Sequence, residues 1–293
     1  MIKASHSIEQ DHVQALEDAL YEVAPSNWSL IVNHVDGSGN LEGFFDDEKD
    51  VARARQELEI ILGKDFEDPF KLDQFEDKDW KESYKTHFKA WSRGTIHWVP
   101  EWERESYEIP RGHHALYVDP GMAFGTGNHE TTRLCLESMI AICERKKVAD
   151  CLDIGCGSGI LSLSAHLLGI ENVKAIDIDP DAITVAQDNA TLNRMAGDVD
   201  FNVSSLENLD GKEQFDLVVA NIQADVLMQN AQTLIQLVRV GGFLVLSGIL
   251  TNEMEMVEDC FLNLLQIEEM EIETEKKSLG EWSLLQLIPS AKS

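Results

Sequence analysis

The sequence predicts an α/β fold, an open and largely parallel doubly wound sheet, preceded by a small α+β module. Three observations predict it. An apolar run, Val148 to Leu152, leads into Asp153-Ile154-Gly155-Cys156-Gly157-Ser158-Gly159 and then directly into Ile160-Leu161-Ser162-Leu163-Ser164-Ala165, which reads as strand, glycine turn and helix. A second β-branched run, Val173 to Pro180, ends in the acids Asp177 and Asp179 and passes into the helix-like Asp181 to Ala190, as the next unit of a βαβ layer would. The first 70 or so residues instead carry the order β-α-β-β-α-β of a ferredoxin-like sandwich.

Within that leading module, Ile2 to Ile8 is a short strand, and His12 to Val23 has apolar residues at helical spacing. Trp28 to Val35 and Leu41 to Phe45 read as strands around a Gly37-Ser38-Gly39-Asn40 turn. Asp50 to Leu62 places Val51, Ala54, Leu58, Ile61 and Leu62 on one stripe of a helix, and a weak strand follows within Phe66 to Phe75. The charged stretch Phe75 to Phe88 is a helical linker. Strands resume at Gly94 to Val99, Tyr107 to Ile109 and Ala115 to Val118, with Trp91, Trp98 and Trp102 read as core aromatics. The expected division is therefore 1–74 for the small module, 75–92 for the linker and 93–293 for the large domain.

Asp119 to Thr132 holds three glycines among the nine residues from Gly121 on, so it is a loop, and Arg133 to Cys143 after it is an amphipathic helix. The loop reads as a lid in which Phe124, Gly125 and Thr126 cover a cofactor while Thr132 meets its polar groups; His129 caps the helix. Further on, Phe215 to Ala220 is a strand ending at Asn221, Ala224 to Val238 a helix, Phe243 to Ser247 a strand after Gly241-Gly242, and Asn252 to Leu265 a helix. Ile267 to Thr274 and Trp282 to Leu287 form a terminal hairpin, completing seven strands.

The glycine turn is a nucleotide-cofactor turn. Glycines at alternate positions permit positive φ and bring a ligand against the main chain and a helix N-terminus. A dinucleotide fingerprint would space its glycines G-x-G-x-x-G; here Asp153 leads a D-x-G-x-G-x-G form, with Gly155 and Gly157 nearest the ligand. Asp177, about 20 residues later at the end of the neighbouring strand, is placed to accept from both ribose hydroxyls. Asp179, directly before Pro180, caps the following helix. Asn221 ends its strand where the reacting group should lie, and orients the cofactor or accepts from an amine. The sequence Asn221-Ile222-Gln223-Ala224 lacks the prolines and aromatic of the D/N-P-P-Y/F form used on exocyclic base amines, which turns the reading away from nucleobases.

Composition excludes several classes. With 53 acidic against 24 basic residues the formal charge is -29, which repels a phosphate backbone and disfavours direct nucleic-acid binding. A basic protein partner remains compatible. No apolar run approaches the roughly 20 residues of a membrane span, and no secretory apolar region follows Met1, so a cytoplasmic protein is expected. Cys135, Cys143, Cys151, Cys156 and Cys260 are odd in number without a C-x-x-C pair, so reduced thiols are expected and no metal site; Cys156 packs as a small side chain beneath the cofactor.

The D-x-G-x-G-x-G form resembles the first motif of S-adenosylmethionine-dependent methyltransferases. Taken together, D-P-G-M-A-F-G-T-G-N-H-E-T-T, D-I-G-C-G-S-G-I-L, I-D-I-D-P-D-A and V-V-A-N-I, in this order and spacing, resemble the bacterial PrmA family, methyltransferases of ribosomal protein eleven of the large subunit. The earlier D-W-K-E-S-Y-K-T-H-F and I-H-W-V-P-E-W are similar to that family too, while the first 70 residues match it in size and element order. The resemblance implies a class I methyltransferase domain with a Rossmann-like seven-stranded sheet, a small substrate-recognition domain ahead of it, and a flexible linker. It implies S-adenosylmethionine as cofactor, contacts at Thr132, Gly155, Asp177 and Asn221, and transfer to lysine ε-amines, or the N-terminal amine, of a ribosomal protein. Gln223 departs from the leucine or valine usual there. Two other readings stand beside it: a protein-lysine methyltransferase with another substrate, such as an electron-transfer flavoprotein subunit, and a non-catalytic cofactor-binding module.

Overall fold

The computed structural model describes residues 2–8, 10, 12, 13, 16, 20, 28–32, 38–45, 47–62, 66, 69–74, 89–119, 129–209, 211–267 and 270–291. The chain forms two compact units, Met1–Tyr84 and Lys85–Ser293. The expected linker helix, and most of the expected helix from His12 to Val23, lie outside the described residues.

In the first unit, β1 (Ile2–Ile8), β2 (Trp28–Val32), β3 (Gly39–Phe45) and β4 (Lys71–Gln74) make an antiparallel sheet in the order β2-β3-β1-β4. Alternation in β1 and β3 sends Ala4, Leu41 and Phe45 to one face, where they meet Val51, Ala54 and Leu58 of α1 (Glu48–Leu62). Helix α1 begins two residues before the expected Asp50. Asp47 caps it, its carboxylate accepting from the Lys49 and Asp50 N–H groups at 2.8 and 2.9 Å. Gly39 and Asn40 belong to β3 rather than to a turn, because Gly39 pairs with both Ile8 and Val32.

The second unit is built on a seven-stranded sheet. Its strands are β8 (Asp150–Ile154), β9 (Asn172–Asp177), β10 (Val199–Val203), β11 (Phe215–Asn221), β12 (Val238–Leu250), β13 (Met270–Leu279) and β14 (Trp282–Ala291), in the order β10-β9-β8-β11-β12-β14-β13. The first five run parallel, and β14 returns antiparallel to β12 with β13 at the edge. Helices α2 (Glu130–Arg145), α3 (Ile160–Leu167), α4 (Pro180–Leu192), α5 (Ala224–Gln229), α6 (Ala231–Gln236) and α7 (Met254–Ile267) flank it. Two apolar clusters form, one around Leu163, Ala175 and Val219 and the other around Val218, Leu246 and Phe261. This is the class I methyltransferase architecture.

A three-stranded sheet, β5 (Trp91–Arg93), β6 (Ile96–Pro100) and β7 (His114–Val118), adds to the first cluster. Trp98 is fully buried there; its indole N–H donates to Ser164 Oγ at 2.8 Å, and Trp91 stacks on it at 4.2 Å. Tyr107 to Ile109 is not a strand, for Pro110 has no N–H and accepts from His113 in a turn, and the Tyr107 hydroxyl bonds His97 at 2.9 Å. The expected helix from Ala224 to Val238 breaks at Asn230, whose side chain donates to the Val226 carbonyl at 2.9 Å. Strand β12 exceeds the expected Phe243 to Ser247 at both ends. No helix of the described residues is long and apolar enough to cross a membrane.

Candidate active site

The sheet reverses its winding between β8 and β11. From β8 the chain steps outward to β9 and β10, then crosses back to β11 and β12, so the carboxyl ends of β8 and β11 open a crevice at the switch point. Parallel register sets Ala220 beside Ile154, and therefore brings Asn221 next to Gly155.

The turn after β8 is held by main-chain bonds that its glycines make possible. Gly155, Gly157 and Gly159 take φ of 70°, 52° and 77°, left-handed values that side chains disfavour. The Gly155 and Cys156 N–H groups both donate to the Ile176 carbonyl at 2.9 and 3.1 Å, which ties the turn to the neighbouring strand. Gly157 donates its N–H to Asp177 Oδ2 at 2.9 Å, while Asp177 Oδ1 accepts from the Asp179 N–H at 3.0 Å. Each carboxylate oxygen so keeps a further lone pair. Asp179 caps α4 as expected, its Oδ1 accepting from the Asp181 N–H at 2.9 Å with Pro180 at the first helical position. Ile178, between these acids, is 75 % exposed, and Val203 beside Asp177 on β10 is exposed too. This apolar lip at the acid-bearing end of β9 is a surface that a planar ring fits.

On the other side of the crevice, Asn221 and Ile222 run between two glycines. A Cβ at Gly155 would lie 2.5 Å from Ile222 Cγ2, and one at Gly248 of β12 would lie 2.2 Å from the Ile222 carbonyl oxygen. Helix α2 closes the third side. His129 caps it by accepting from the Thr131 N–H at 3.4 Å, and Ser247, the register partner of Asn221, donates its hydroxyl to the Thr131 carbonyl at 3.4 Å. Thr132 in the first turn of α2 is thereby brought to the ends of β11 and β12.

Thr132 Oγ1 and Asn221 Oδ1 are buried and make no hydrogen bond. A buried unsatisfied polar atom costs about 1–3 kcal/mol, which a ligand that bonds to it recovers. Asp153 Oδ1 is the third such atom near the turn. Asp153 itself is 1 % exposed and lies under the turn, where the Ser162 hydroxyl donates to its other oxygen. Burial, set against the Ser162 bonds and reinforced by the charge of Asp177, pushes its carboxyl up to about 7. The folded state thus keeps this proton from pH 4 to 7, where the unfolded chain has lost it, and stability falls through that window before levelling above pH 7. Between pH 6 and 8 the wild type is expected to lose about 1 kcal/mol relative to Asp153→Asn, as read by urea unfolding. A constant difference between the two proteins would show that Asp153 is ionised throughout. Cys156 is also buried, and burial holds its thiol far above the ordinary range, so it packs rather than reacts.

The structure therefore brings together Thr132, Gly155, Gly157, Asp177 and Asn221, and sets Asp153 beneath them. Phe124, Gly125 and Thr126 lie outside the described residues. No group of three His, Cys, Asp or Glu side chains suited to a metal occurs among the described residues. Ile178 and Gly248 were not among the residues expected from sequence; the former had a signal, an apolar side chain wedged between two acids.

A family model described as ribosomal protein L11 methyltransferase (PrmA) matches residues 3–286. A ribosomal protein L11 methyltransferase of Pelobacter propionicus is 38% identical over 254 residues, 83% of this chain and 79% of that protein. One of Pseudoalteromonas atlantica is 33% identical over 285 residues, 97% of this chain and 91% of the other. Among solved structures, a ribosomal protein L11 methylase from Lactobacillus delbrueckii subsp. bulgaricus superposes with a TM-score of 0.60 at 31% identity, covering 69% of this chain and 100% of its own.

Proposed function

The chain belongs to the ribosomal protein L11 methyltransferase family, and from this premise we propose that it moves methyl groups from S-adenosylmethionine to amino groups of that ribosomal protein, foremost lysine ε-amines. It is a protein methyltransferase by family. The observation that carries the cofactor assignment is the pair of buried, unpartnered oxygens on Thr132 and Asn221, the latter at the strand end beside a glycine turn braced by Asp177.

In this reading Asp177 accepts from the ribose hydroxyls with its remaining lone pairs, and Ile178 underlies the purine. Gly155 and Gly157 allow the amino-acid part to approach the main chain. When bound, S-adenosylmethionine supplies a methyl carbon on a positively charged sulfur, which a neutral amine displaces in line to leave a thioether. The chain's own work is then to position and desolvate. Thr132 Oγ1 and Asn221 Oδ1 fix the groups beside them, and Asn221 Oδ1 suits an amine N–H, holding its lone pair toward the methyl. No proton-relay triad is needed: the lysine ammonium gives up its proton to solvent before attack, the neutral amine's lone pair forms the N–C bond as the C–S bond breaks, and the product leaves as a methylammonium.

Residues 1–74 are assigned to substrate recognition, 75–92 to the linker and 93–293 to transfer. The charge of -29 favours encounter with a basic protein and opposes nucleic acid. A flavoprotein substrate has no support in these relatives, which carry the ribosomal protein's name. Incubation with recombinant L11 and methyl-labelled S-adenosylmethionine should add whole methyl groups to L11 by intact mass. A chain lacking residues 1–74 should still bind S-adenosylhomocysteine and fail to methylate. Transfer to an electron-transfer flavoprotein subunit but not to L11 would overturn the substrate; cofactor binding without transfer to any ribosomal fraction would favour a binding module.

A further inference from the structure

Two asparagines one turn apart, Asn189 in helix α4 and Asn193 at its C-terminal cap, act as though they were a neighbouring β-strand. Asn193 Oδ1 accepts from the Tyr117 N–H at 2.8 Å, and its Nδ2 donates to the Tyr117 carbonyl at 2.6 Å. Asn189 repeats this two residues further along: Oδ1 accepts from the Asp119 N–H at 2.9 Å, and Nδ2 donates to the Asp119 carbonyl at 2.9 Å. The spacing explains the match. Four helical residues rise about 6 Å, close to the roughly 6.6 Å between alternate residues of a strand, so an i,i+4 pair of amides meets alternate peptide groups on one edge.

The two differ in what else they hold. Asn193 Nδ2 turns back to the Asn189 carbonyl of its own helix at 2.8 Å. Asn189 Nδ2 instead donates to the carbonyl of Ser158, within the glycine turn, at 2.9 Å. Asn189 is 2 % exposed, and both its amide nitrogen and its oxygen are engaged. One side chain thus fastens three segments: the exit of β7 at Asp119, the turn after β8, and the helix that starts just past Asp177. From Asp119 the sequence reaches Thr132 thirteen residues later, so the same clamp fixes where the chain sets out toward that residue.

Resting on the cofactor reading above, we propose that Asn189 is a positioning residue for cofactor binding: by locking Ser158 to Asp119 it presents the glycine turn in its binding geometry, whereas Asn193 only secures β7. Asn189 touches no reacting atom in this account. Its effect passes through the turn, so it should appear in affinity and in KM for S-adenosylmethionine rather than in kcat.

The test compares Asn189→Leu with Asn193→Leu in the full chain. Both remove amide bonds to β7 and both should lower Tm. Titration calorimetry with S-adenosylhomocysteine, well below either Tm, should show Kd raised tenfold or more for Asn189→Leu and changed less than twofold for Asn193→Leu. In turnover, KM for S-adenosylmethionine should rise in Asn189→Leu with kcat within twofold. Equal Kd values in the two variants would overturn the proposal and leave a structural clamp. Should Asn189→Leu fail to fold, amide exchange in the wild type decides, because coupling is reciprocal. Saturating S-adenosylhomocysteine should slow exchange of the Asp119 N–H at least tenfold more than that of the Tyr117 N–H, and equal protection would overturn the inference. A wild type that does not bind S-adenosylhomocysteine would defeat the cofactor reading itself, which separates the two failures.

Discussion

Gly248→Ala is expected to cost about 3–5 kcal/mol of folding stability and to remove cofactor binding from whatever fraction folds. Two independent effects combine at this position. Gly248 sits at φ +83°, where β12 shifts register against β14 between Leu246 and Ile249, and a side chain there is strained whatever space it finds. The space is also absent. An added Cβ would stand 2.2 Å from the Ile222 carbonyl oxygen, 2.8 Å from its carbon and 3.1 Å from its nitrogen. These are backbone atoms, so relief requires moving the Asn221-Ile222 segment away from β12 and hence shifting Asn221 in the crevice. Gly155→Ala is the informative comparison. Its Cβ would meet Ile222 Cγ2 at 2.5 Å, the end of a side chain that can rotate, so it should cost less stability although it too has positive φ, +70°. Urea unfolding and S-adenosylhomocysteine calorimetry on both variants check this order. Wild-type stability or wild-type affinity in Gly248→Ala would show that Ile222 yields easily and that the segment is not fixed by its two glycines.

The contrast between these glycines shows what the sequence can disclose. Gly155 is legible because its constraint is local: an apolar strand before it, glycines at alternate positions after it and a helix beyond leave little but a turn. Asp177 is legible for the same reason, through its distance from that turn and its place at the end of a β-branched run. Gly248 follows the apolar run Phe243 to Ser247 with no glycine pattern around it, and what forbids a side chain is the carbonyl of a residue 26 positions earlier. Asn189 is equally silent, since an asparagine within a helix carries no mark of the backbone at Asp119 and Ser158 that it grips. Errors in the elements have the same origin. The helix after Asn221 is interrupted where Asn230 leaves helical φ and ψ, its main-chain N–H and side chain both held by the Val226 carbonyl, and Tyr107 lies outside any strand because its N–H is spent on the Glu103 carbonyl in a turn. Periodicity reports the elements and the near-neighbour chemistry; contacts made across the sheet emerge only when it is assembled.

Asp177→Ala is expected to weaken S-adenosylhomocysteine by about 1.5–3 kcal/mol, roughly 10- to 150-fold, the range for bonds to a charged group. The structure gives this loss two sources that a single titration would merge. The carboxylate braces the turn through the Gly157 N–H and the loop through the Asp179 N–H, and its remaining lone pairs are those assigned to the ribose. Removing it therefore deletes an acceptor for the ligand and also frees the turn that carries Gly155. A double cycle separates them. With an S-adenosylhomocysteine analogue lacking the ribose 2′-hydroxyl, the wild type should show a clear deficit relative to the parent ligand. In Asp177→Ala the two ligands should bind alike, since the partner of the missing hydroxyl has gone. A deficit of equal size in both proteins would mean that the carboxylate serves only to hold the turn, and the ribose contact would then have to be sought on another residue. Stability distinguishes the roles from the other side: loss of the brace lowers Tm without ligand, whereas loss of a ribose acceptor does not. A variant with wild-type Tm and a collapsed difference between the ligands would place the whole effect of Asp177 in direct recognition.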